Sequence, residues 1–457
     1  MLKQWTSRIF LFFIFLVVLL SIKNEYHMVD EYWYAIHLDQ GTGLFHSYHF
    51  LSQINAYVMW FLATILGFEV SAYRSLQLAS IFFSAIGAVA LIDLGRYWKL
   101  SWAQAFLFSA PVIFSNGFLR YGTSAYPDAA AFGMGLVAIN YFIKVLDGAD
   151  KDFWVNCFKY FISGIVTAIA GLMHIIVLLL MPGFWLGGVL RLLQLKCQWK
   201  HILGYVLCYL LGLGAVLGAM FMYMYYLSDT QPEKVSFFAV AYENTAMSLL
   251  KGKIPDWFPT VDNLIQNIKT FGAVFIPGVH SPVLWMDIIL DIPRVSAVFL
   301  IVALIVQSWR KRASRPEVAV WLFPSIVGVF ILFTVMLFTS FYFCRQYAVV
   351  SLAAFGPLFL LLGIVPFSDK PKRIPLPMMI IIGAFIFHMI WGIEGYLVIR
   401  DHDSRAIREL HGKCDIHRPK PVQFPWAVGE ASVQPGCRYD STQGPSGDKV
   451  GYVEMKI

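Results

Sequence analysis

Apolar stretches long enough to cross a bilayer recur along almost the whole chain and are separated by short polar connections. A bilayer core takes about 20 consecutive apolar residues in helical form. Only helices and closed barrels satisfy their backbone groups within lipid. The pattern therefore predicts an all-α polytopic membrane protein. The apolar runs lie near 9–24, 52–68, 75–95, 101–118, 129–147, 157–172, 173–190, 202–227, 288–309, 318–341, 346–367 and 376–398.

Composition supports the same class. Of the 457 residues, 58% are hydrophobic and 14% are charged, whereas soluble domains carry roughly 25% charged residues. The first segment lacks a small-residue cleavage site, so we interpret it as an anchor that is not removed. The formal charge of +7 comes from basic residues dispersed in short loops. That dispersion predicts no nucleic-acid partner.

The distribution of basic residues selects one topology. If every run crossed the membrane, the clusters at 310–315 and 370–373 would face outward, against the positive-inside rule. The run 52–68 is short and begins with polar residues, among them Gln53 and Asn55. We therefore predict that it is a juxtamembrane helix in the first outer loop. About eleven spans then remain, with the N-terminus inside and the C-terminus outside.

This topology divides the chain into two regions. Residues 1–398 form the transmembrane domain, with outer loops at 25–73, 119–128 and 228–287. Residues 399–457 form a polar extracytoplasmic tail. The tail contains Cys414 and Cys437, and whether they form a disulfide is left open by the sequence.

An acidic pair, Asp30–Glu31, follows the first span. Adjacent carboxylates beside a bilayer can act as a general base or bind a metal ion. They are equally compatible with a solvated loop. His46 and His49 follow in the same loop and are weaker candidates to join Asp30 in a metal site.

Charged residues also mark other outer span ends. Arg120 and Asp128 bracket a short outer turn, and Asp128 starts a span, where the positive end of the helix dipole stabilises an anion. Arg74, His174 and Arg345 lie at further outer span ends. Charges at bilayer depth usually face a cavity or a partner, and arginine is suited to a lipid phosphate. The alternative interpretation for each is snorkelling to the interface, or simple packing for His174.

Three stretches resemble the GT-C glycosyltransferases, polytopic enzymes that use polyprenyl-phosphate-linked sugars, such as protein O-mannosyltransferases and lipid A aminoarabinose transferases. The stretches are a short first span followed by Asp30–Glu31, the segment LGFEVSAYRSLQLA with Arg74, and RYGTSAYPDAAAF with Arg120 and Asp128. A weaker match is CRQYAVVSLAAFGP. The chain departs from the family's pattern where FHSYHFLSQ replaces a His-Pro-Pro sequence, and where Met173–His174 replaces a basic residue.

The resemblance implies a GT-C-like fold and transfer of a sugar from a polyprenyl-phosphate donor. It implies a glycan, lipid or protein acceptor on the extracytoplasmic face of a bacterial inner membrane. A divalent cation, Mg or Mn, is an open option, with Asp30 and Asp128 as its ligands. The candidate catalytic residues are Asp30, Glu31 and Asp128, and the candidate substrate-binding residues are Arg74, Arg120, His174, Arg345, Tyr347 and His49.

Two other functions stay open from the sequence. A flippase or transporter of a lipid-linked glycan would need ionisable residues along a path through the spans, and no inverted repeat is visible. A glycan ligase or polymerase would rely on outer-loop arginine and histidine rather than on a first-loop acidic pair.

Overall fold

The computed structural model describes the anchor, most of residues 51–227, two later helices and a few short pieces. These residues are 2–23, 34–35, 38, 51–126, 128–148, 152–227, 305–306, 309–310, 316–338, 344–364, 393, 438–439 and 453–454. Several predictions fall outside them: Asp30, Glu31, His49, the loop 228–287, the two tail cysteines, and nearly all of the spans 288–309 and 376–398.

The described chain is helical apart from one pair of two-residue antiparallel strands in the tail. The helices are α1 (Leu2–Ser21), α2 (Ser52–Ile65), α3 (Ala72–Tyr97), α4 (Trp102–Ile113), α5 (Asn116–Gly122), α6 (Asp128–Asp147), α7 (Phe153–Met173), α8 (Met181–Gln194), α9 (Trp199–Leu227), α10 (Pro316–Ala319), α11 (Leu322–Phe338) and α12 (Cys344–Ile364). A 3₁₀ turn, Ile175–Leu180, leads into α8. The strands are β1 (Arg438–Tyr439) and β2 (Val453–Glu454).

Five described helices are long and apolar enough to cross a membrane. They are Ala72–Tyr97, Asp128–Asp147, Phe153–Met173, Val177–Gln194 and Trp199–Met220. This confirms the prediction of an all-α, multi-pass membrane protein. Helix α2 has 14 residues, a length of about 21 Å against a bilayer core of about 30 Å. Its exposed face is apolar and aromatic, which suits the predicted juxtamembrane position.

Local sequence accounts for where the helices begin. Ser71 and Ser101 cap α3 and α4, and Ser101 forms a reciprocal capping box with Gln104. Asp152 caps α7 by accepting hydrogen bonds from the backbone of Trp154 and Val155. These side chains satisfy amide groups that a helix start leaves without an internal partner.

The predicted span 101–118 is broken in the structure. Helix α4 ends at Ile113, just after Pro111, and Ser115 caps the separate helix α5. The predicted loop 119–128 is correspondingly shorter, because α5 continues to Gly122 and Asp128 is the first residue of α6. Pro111 weakens the last part of α4, because it cannot donate a hydrogen bond to Leu107. Ser115 starts the new helix by accepting a hydrogen bond from the backbone of Phe118.

The helices form a bundle with two chemically different ends. In helix α3, Arg74 lies near the start and Asp93 near the end. Helix α6 packs against α3 in the opposite direction, with Asp128 at its start and Lys144 near its end. Asp93 accepts from Arg8 of α1 and from Lys144. We call the end with this cluster the Asp93 end, and the opposite end the Asp128 end.

Glycines allow α3 and α6 to approach closely in the middle of the bundle. A Cβ atom at Gly133 would lie 2.0 Å from the backbone oxygen of Phe83, and one at Gly87 would lie 2.7 Å from Cα of Gly133. Helices α7 and α9 meet in the same way, since a Cβ at Gly164 would lie 2.1 Å from the oxygen of Tyr209. Small residues are the usual means of close helix contact in membranes.

Gly133→Ala should therefore lower the free energy of unfolding by about 1–3 kcal/mol, because the obstacle is backbone and cannot rotate away. The matched variant is Gly214→Ala on α9, where an added Cβ meets nothing within 4 Å. It should be neutral or slightly stabilising, since alanine favours helix over glycine. Unfolding in mixed detergent micelles measures both. Equal effects of the two substitutions would contradict the close α3–α6 contact.

Candidate active site

Asp128 and His174 form a buried acid–imidazole pair. Asp128 is the first residue of α6, and His174 directly follows α7. Nε2 of His174 lies 3.2 Å from Oδ1 of Asp128, with the two side chains 2% and 0% exposed. The sequence placed both residues on one side of the membrane, and the structure brings them into contact.

The chain reverses sharply at His174, and this reversal creates the pair. Its backbone is extended between the end of α7 and the 3₁₀ turn Ile175–Leu180. The backbone therefore leaves the path of α7 at His174, and the imidazole lies at the N-terminus of α6. The carboxylate of Asp128 gains both this neighbour and the partial positive charge of the helix start.

Two side chains of α3 hold the link that leads to Asp128. Nε2 of Gln77 donates to the backbone oxygen of Thr123 at 2.7 Å. Oγ of Ser80 donates to the backbone oxygen of Tyr126, also at 2.7 Å. All four residues are buried. Because both acceptors lie within the α5–α6 link, these bonds fix the position from which α6 starts.

Arg74 supports this arrangement. Its Nη1 donates to Oε1 of Gln77 at 2.5 Å, which leaves the Gln77 amide nitrogen directed at Thr123. The Arg74 side chain is only partly buried. A guanidinium has five N–H donors, so the bond to Gln77 uses a fraction of its capacity.

Part of the first loop packs at the same end. Tyr34, Ala35 and Leu38 belong to a small apolar cluster that also contains Ala56, Tyr73, Leu76 and Ala125. The rings of Tyr34 and Tyr126 meet edge to face, with centroids 6.5 Å apart. The predicted residues Asp30, Glu31 and His49 of this loop lie outside the described residues.

The other predicted residues fall at the Asp128 end by helix position. Arg120 lies in the last turn of α5 and is partly buried. Helix α12 runs toward the Asp93 end, since Ala353 lies beside Gly135 and Leu360 beside Gly95. Arg345 precedes Ala353 by about 12 Å of helix, and Asp128 precedes Gly135 by about 10 Å.

The first turn of α12, with Arg345 and Tyr347, is therefore roughly level with Asp128. By their positions along the helix axes, the predicted residues of the described chain all lie at the Asp128 end of the bundle: Arg74, Arg120, Asp128, His174, Arg345 and Tyr347.

A buried amide that the sequence did not single out lies at this end as well. Gln53, in the first turn of α2, is 0% exposed, and neither of its amide atoms has a hydrogen-bond partner among the described residues. The neighbouring turn contacts α7: Leu51 donates to Leu172 and Asn55 to Met173. The only sequence signal was the polar start of an otherwise apolar helix.

Among the described residues, no group of three or more histidine, cysteine, aspartate or glutamate side chains is placed to hold a metal ion. Asp128 and His174 provide two ligating side chains. A divalent cation would need further oxygen ligands, and the candidate Asp30 is not described.

The pair can be tested by a double-mutant cycle. His174→Gln should lower the free energy of unfolding by about 3–5 kcal/mol, because it leaves a buried carboxylate without its partner. Asp128→Asn combined with His174→Gln should cost less than His174→Gln alone. Asp147→Asn is the comparison, since the Arg191 left behind is 16% exposed and keeps access to water. Strictly additive effects at 128 and 174 would contradict a coupled pair.

The chain was compared with protein families, curated proteins and solved structures. No family model and no curated protein matches the chain. Similar solved structures include the crystal structures of ArnT from Cupriavidus metallidurans in the apo state and bound to undecaprenyl phosphate. Each aligns with a TM-score of 0.35 and covers 79% of this chain and 77% of the other, at 13% and 14% identity respectively. The assignment of a function therefore rests on the residues of this chain.

Proposed function

We propose that this chain is a GT-C-like membrane glycosyltransferase. It transfers a sugar from a polyprenyl-phosphate-linked donor to a glycan, lipid or protein acceptor on the extracytoplasmic face of a bacterial inner membrane. The observation that carries the proposal is the buried Asp128–His174 pair at the bundle end where Arg74, Arg120 and the start of α12 also lie. These are positions that the sequence resemblance assigns to the reaction.

The proposed reaction is a single displacement at the anomeric carbon. An acceptor oxygen forms the new bond to that carbon while the bond to the phosphate oxygen breaks, so the configuration inverts. The acceptor proton passes to a carboxylate, Asp30 or Glu31, acting as general base. The leaving polyprenyl phosphate keeps the electron pair, and nearby arginines stabilise its added charge.

Arg74, Arg120 and Arg345 are the candidates for holding the donor phosphate, with Tyr347 and His49 as further substrate contacts. Arginine forms paired hydrogen bonds with phosphate oxygens. The bond from Arg74 to Gln77 keeps this guanidinium in place at the start of α3, which favours preorganised binding over a freely moving side chain.

Asp128 has a positioning role in this proposal. His174 and the start of α6 hold its carboxylate in one place, where it orients the acceptor or an optional Mg or Mn ion. A carboxylate fixed in this way is already arranged for the transition state and needs little reorganisation during the reaction.

The arrangement of charge favours this enzyme over a transporter. In the five membrane-length helices, every charged residue lies within the first or last two turns. A path for a charged glycan through the bilayer would place ionisable groups along its length. In the described helices, the charged residues instead lie at the two ends of the bundle, with an apolar region between them.

The first functional test replaces each proposed acid. Asp30→Asn should lower sugar transfer from labelled polyprenyl-phosphate sugars by at least about 100-fold, since general-base contributions are typically 10²–10⁴-fold. Asp128→Asn should lower transfer by about 100-fold, the effect of misplacing a substrate by about 1 Å. Asp152→Asn is the control, because Asp152 is an exposed cap at the start of α7. Full transfer by both proposed-site variants, in folded protein, would overturn the catalytic assignment.

A second test concerns Gln53. A buried amide without partners costs about 1–3 kcal/mol, so Gln53→Leu should raise the thermal stability of the protein without substrate. If the amide binds substrate in the complex, the same variant should raise KM or lower transfer. Asn55→Leu is the comparison, because Asn55 already has a protein partner, Sδ of Met173, and its loss should destabilise. A stabilised Gln53→Leu protein with full transfer would remove Gln53 from the site.

A further inference from the structure

A groove between three helices lies at the Asp93 end, away from the proposed active site. It is formed by α1, α3 and α6 and has a volume of about 440 Å³. Its deeper walls are apolar, with Phe12, Ile86 and Val137 on the three helices. Its outer part contains Arg8, Asp93, Asn140 and Lys144. The groove thus combines an apolar interior with a polar, charged rim.

The charges on this rim do not cancel. Arg8 donates to Oδ1 of Asp93 through Nε at 2.9 Å and Nη2 at 2.7 Å, and Lys144 donates to Oδ2. Two cations therefore share one carboxylate, which leaves one net positive charge. The Arg8 and Lys144 side chains are 30% and 28% exposed, so both remain accessible from the groove.

Asn140 fixes the position of Asp93 beside the two cations. It is 7% exposed and lines the groove. Its Nδ2 donates to the backbone oxygen of Ala90 at 3.0 Å and to Asp93 at 3.2 Å. Its Oδ1 is buried and accepts no hydrogen bond from the described residues. Because Oδ1 is closed off from the groove, Asn140 does not contact a bound molecule through this atom, and its role is to hold Asp93 in place.

We propose that this groove is a binding site for an anionic phospholipid such as phosphatidylglycerol. The phosphate lies against Arg8 and Lys144, and its charge balances the surplus cation. The acyl chains follow the apolar wall past Phe12 and Val137 toward the middle of the membrane.

The position of the groove favours a lipid over a soluble anion. Its walls belong to two helices of membrane-spanning length and to the apolar helix α1, and they continue from the charged rim toward the bundle centre. A soluble phosphate would use the rim and leave the apolar wall uncovered. Basic pockets between transmembrane helices are suited to anionic lipid headgroups.

The test measures lipid binding to the delipidated full-length protein by native mass spectrometry. Phosphatidylglycerol should bind more tightly than phosphatidylcholine, which has no net charge. Lys144→Gln should weaken phosphatidylglycerol binding about fivefold, the effect of one basic residue near a membrane surface. Lys159→Gln is the matched control, because it removes the same charge from α7, outside the groove. It should leave binding within about twofold.

Two further variants keep the proposal testable if Lys144→Gln misfolds. Val137→Trp fills the apolar part of the groove without changing its charge and should reduce binding of phosphatidylglycerol. Arg8→Gln removes the other cation of the rim and should weaken binding of phosphatidylglycerol about fivefold. Equal binding of phosphatidylglycerol and phosphatidylcholine, or equal losses in Lys144→Gln and Lys159→Gln, would overturn the proposal.

Discussion

The Asp128 end of the bundle depends on a carboxylate that has no contact with water. An ionised group in a low-dielectric interior is strongly unfavourable unless nearby charges and dipoles replace its hydration. Asp128 obtains this from His174 and from the first turn of α6. Both require that the end of α7 meets the start of α6. The sharp reversal at His174 and the hydrogen bonds from Gln77 and Ser80 therefore belong to the same constraint.

The opposite end handles charge in another way. Asp93 and Asp147 each lie beside basic side chains that retain partial exposure. Such pairs keep water access, so they depend less on perfect geometry. The contrast explains why one end tolerates a surplus cation beside an open groove. At the other end a single buried acid determines how three segments, α3, α6 and α7, come together.

Within the described residues, the apolar runs predicted most of the long helices, because hydrophobicity measures what the bilayer selects. The sequence also placed Asp128 at a helix start, since the apolar run follows it directly. The contact between Asp128 and His174 was not predictable from the sequence. His174 lies between α7 and the 3₁₀ turn, and its orientation depends on a backbone reversal that apolar runs do not indicate. The break of 101–118 was readable in principle from Pro111 and Ser115, but average hydropathy conceals a change of direction inside an apolar run.

Gln53 and Arg74 show why side-chain roles are harder to predict than positions. The polar start of α2 suggested a surface helix, yet Gln53 is buried because that turn packs at the end of α7. Arg74 was assigned to a phosphate from its place at an outer span end and from the sequence resemblance, and the structure gives it a protein partner, Gln77. Arg74 can donate to Gln77 and to a phosphate at the same time, because the N–H donors of a guanidinium point in several directions within its plane. A phosphate bound to Arg74 would then be connected through Gln77 to Thr123, in the link that leads to Asp128, so donor binding and the placement of the acid would share one hydrogen-bonded chain.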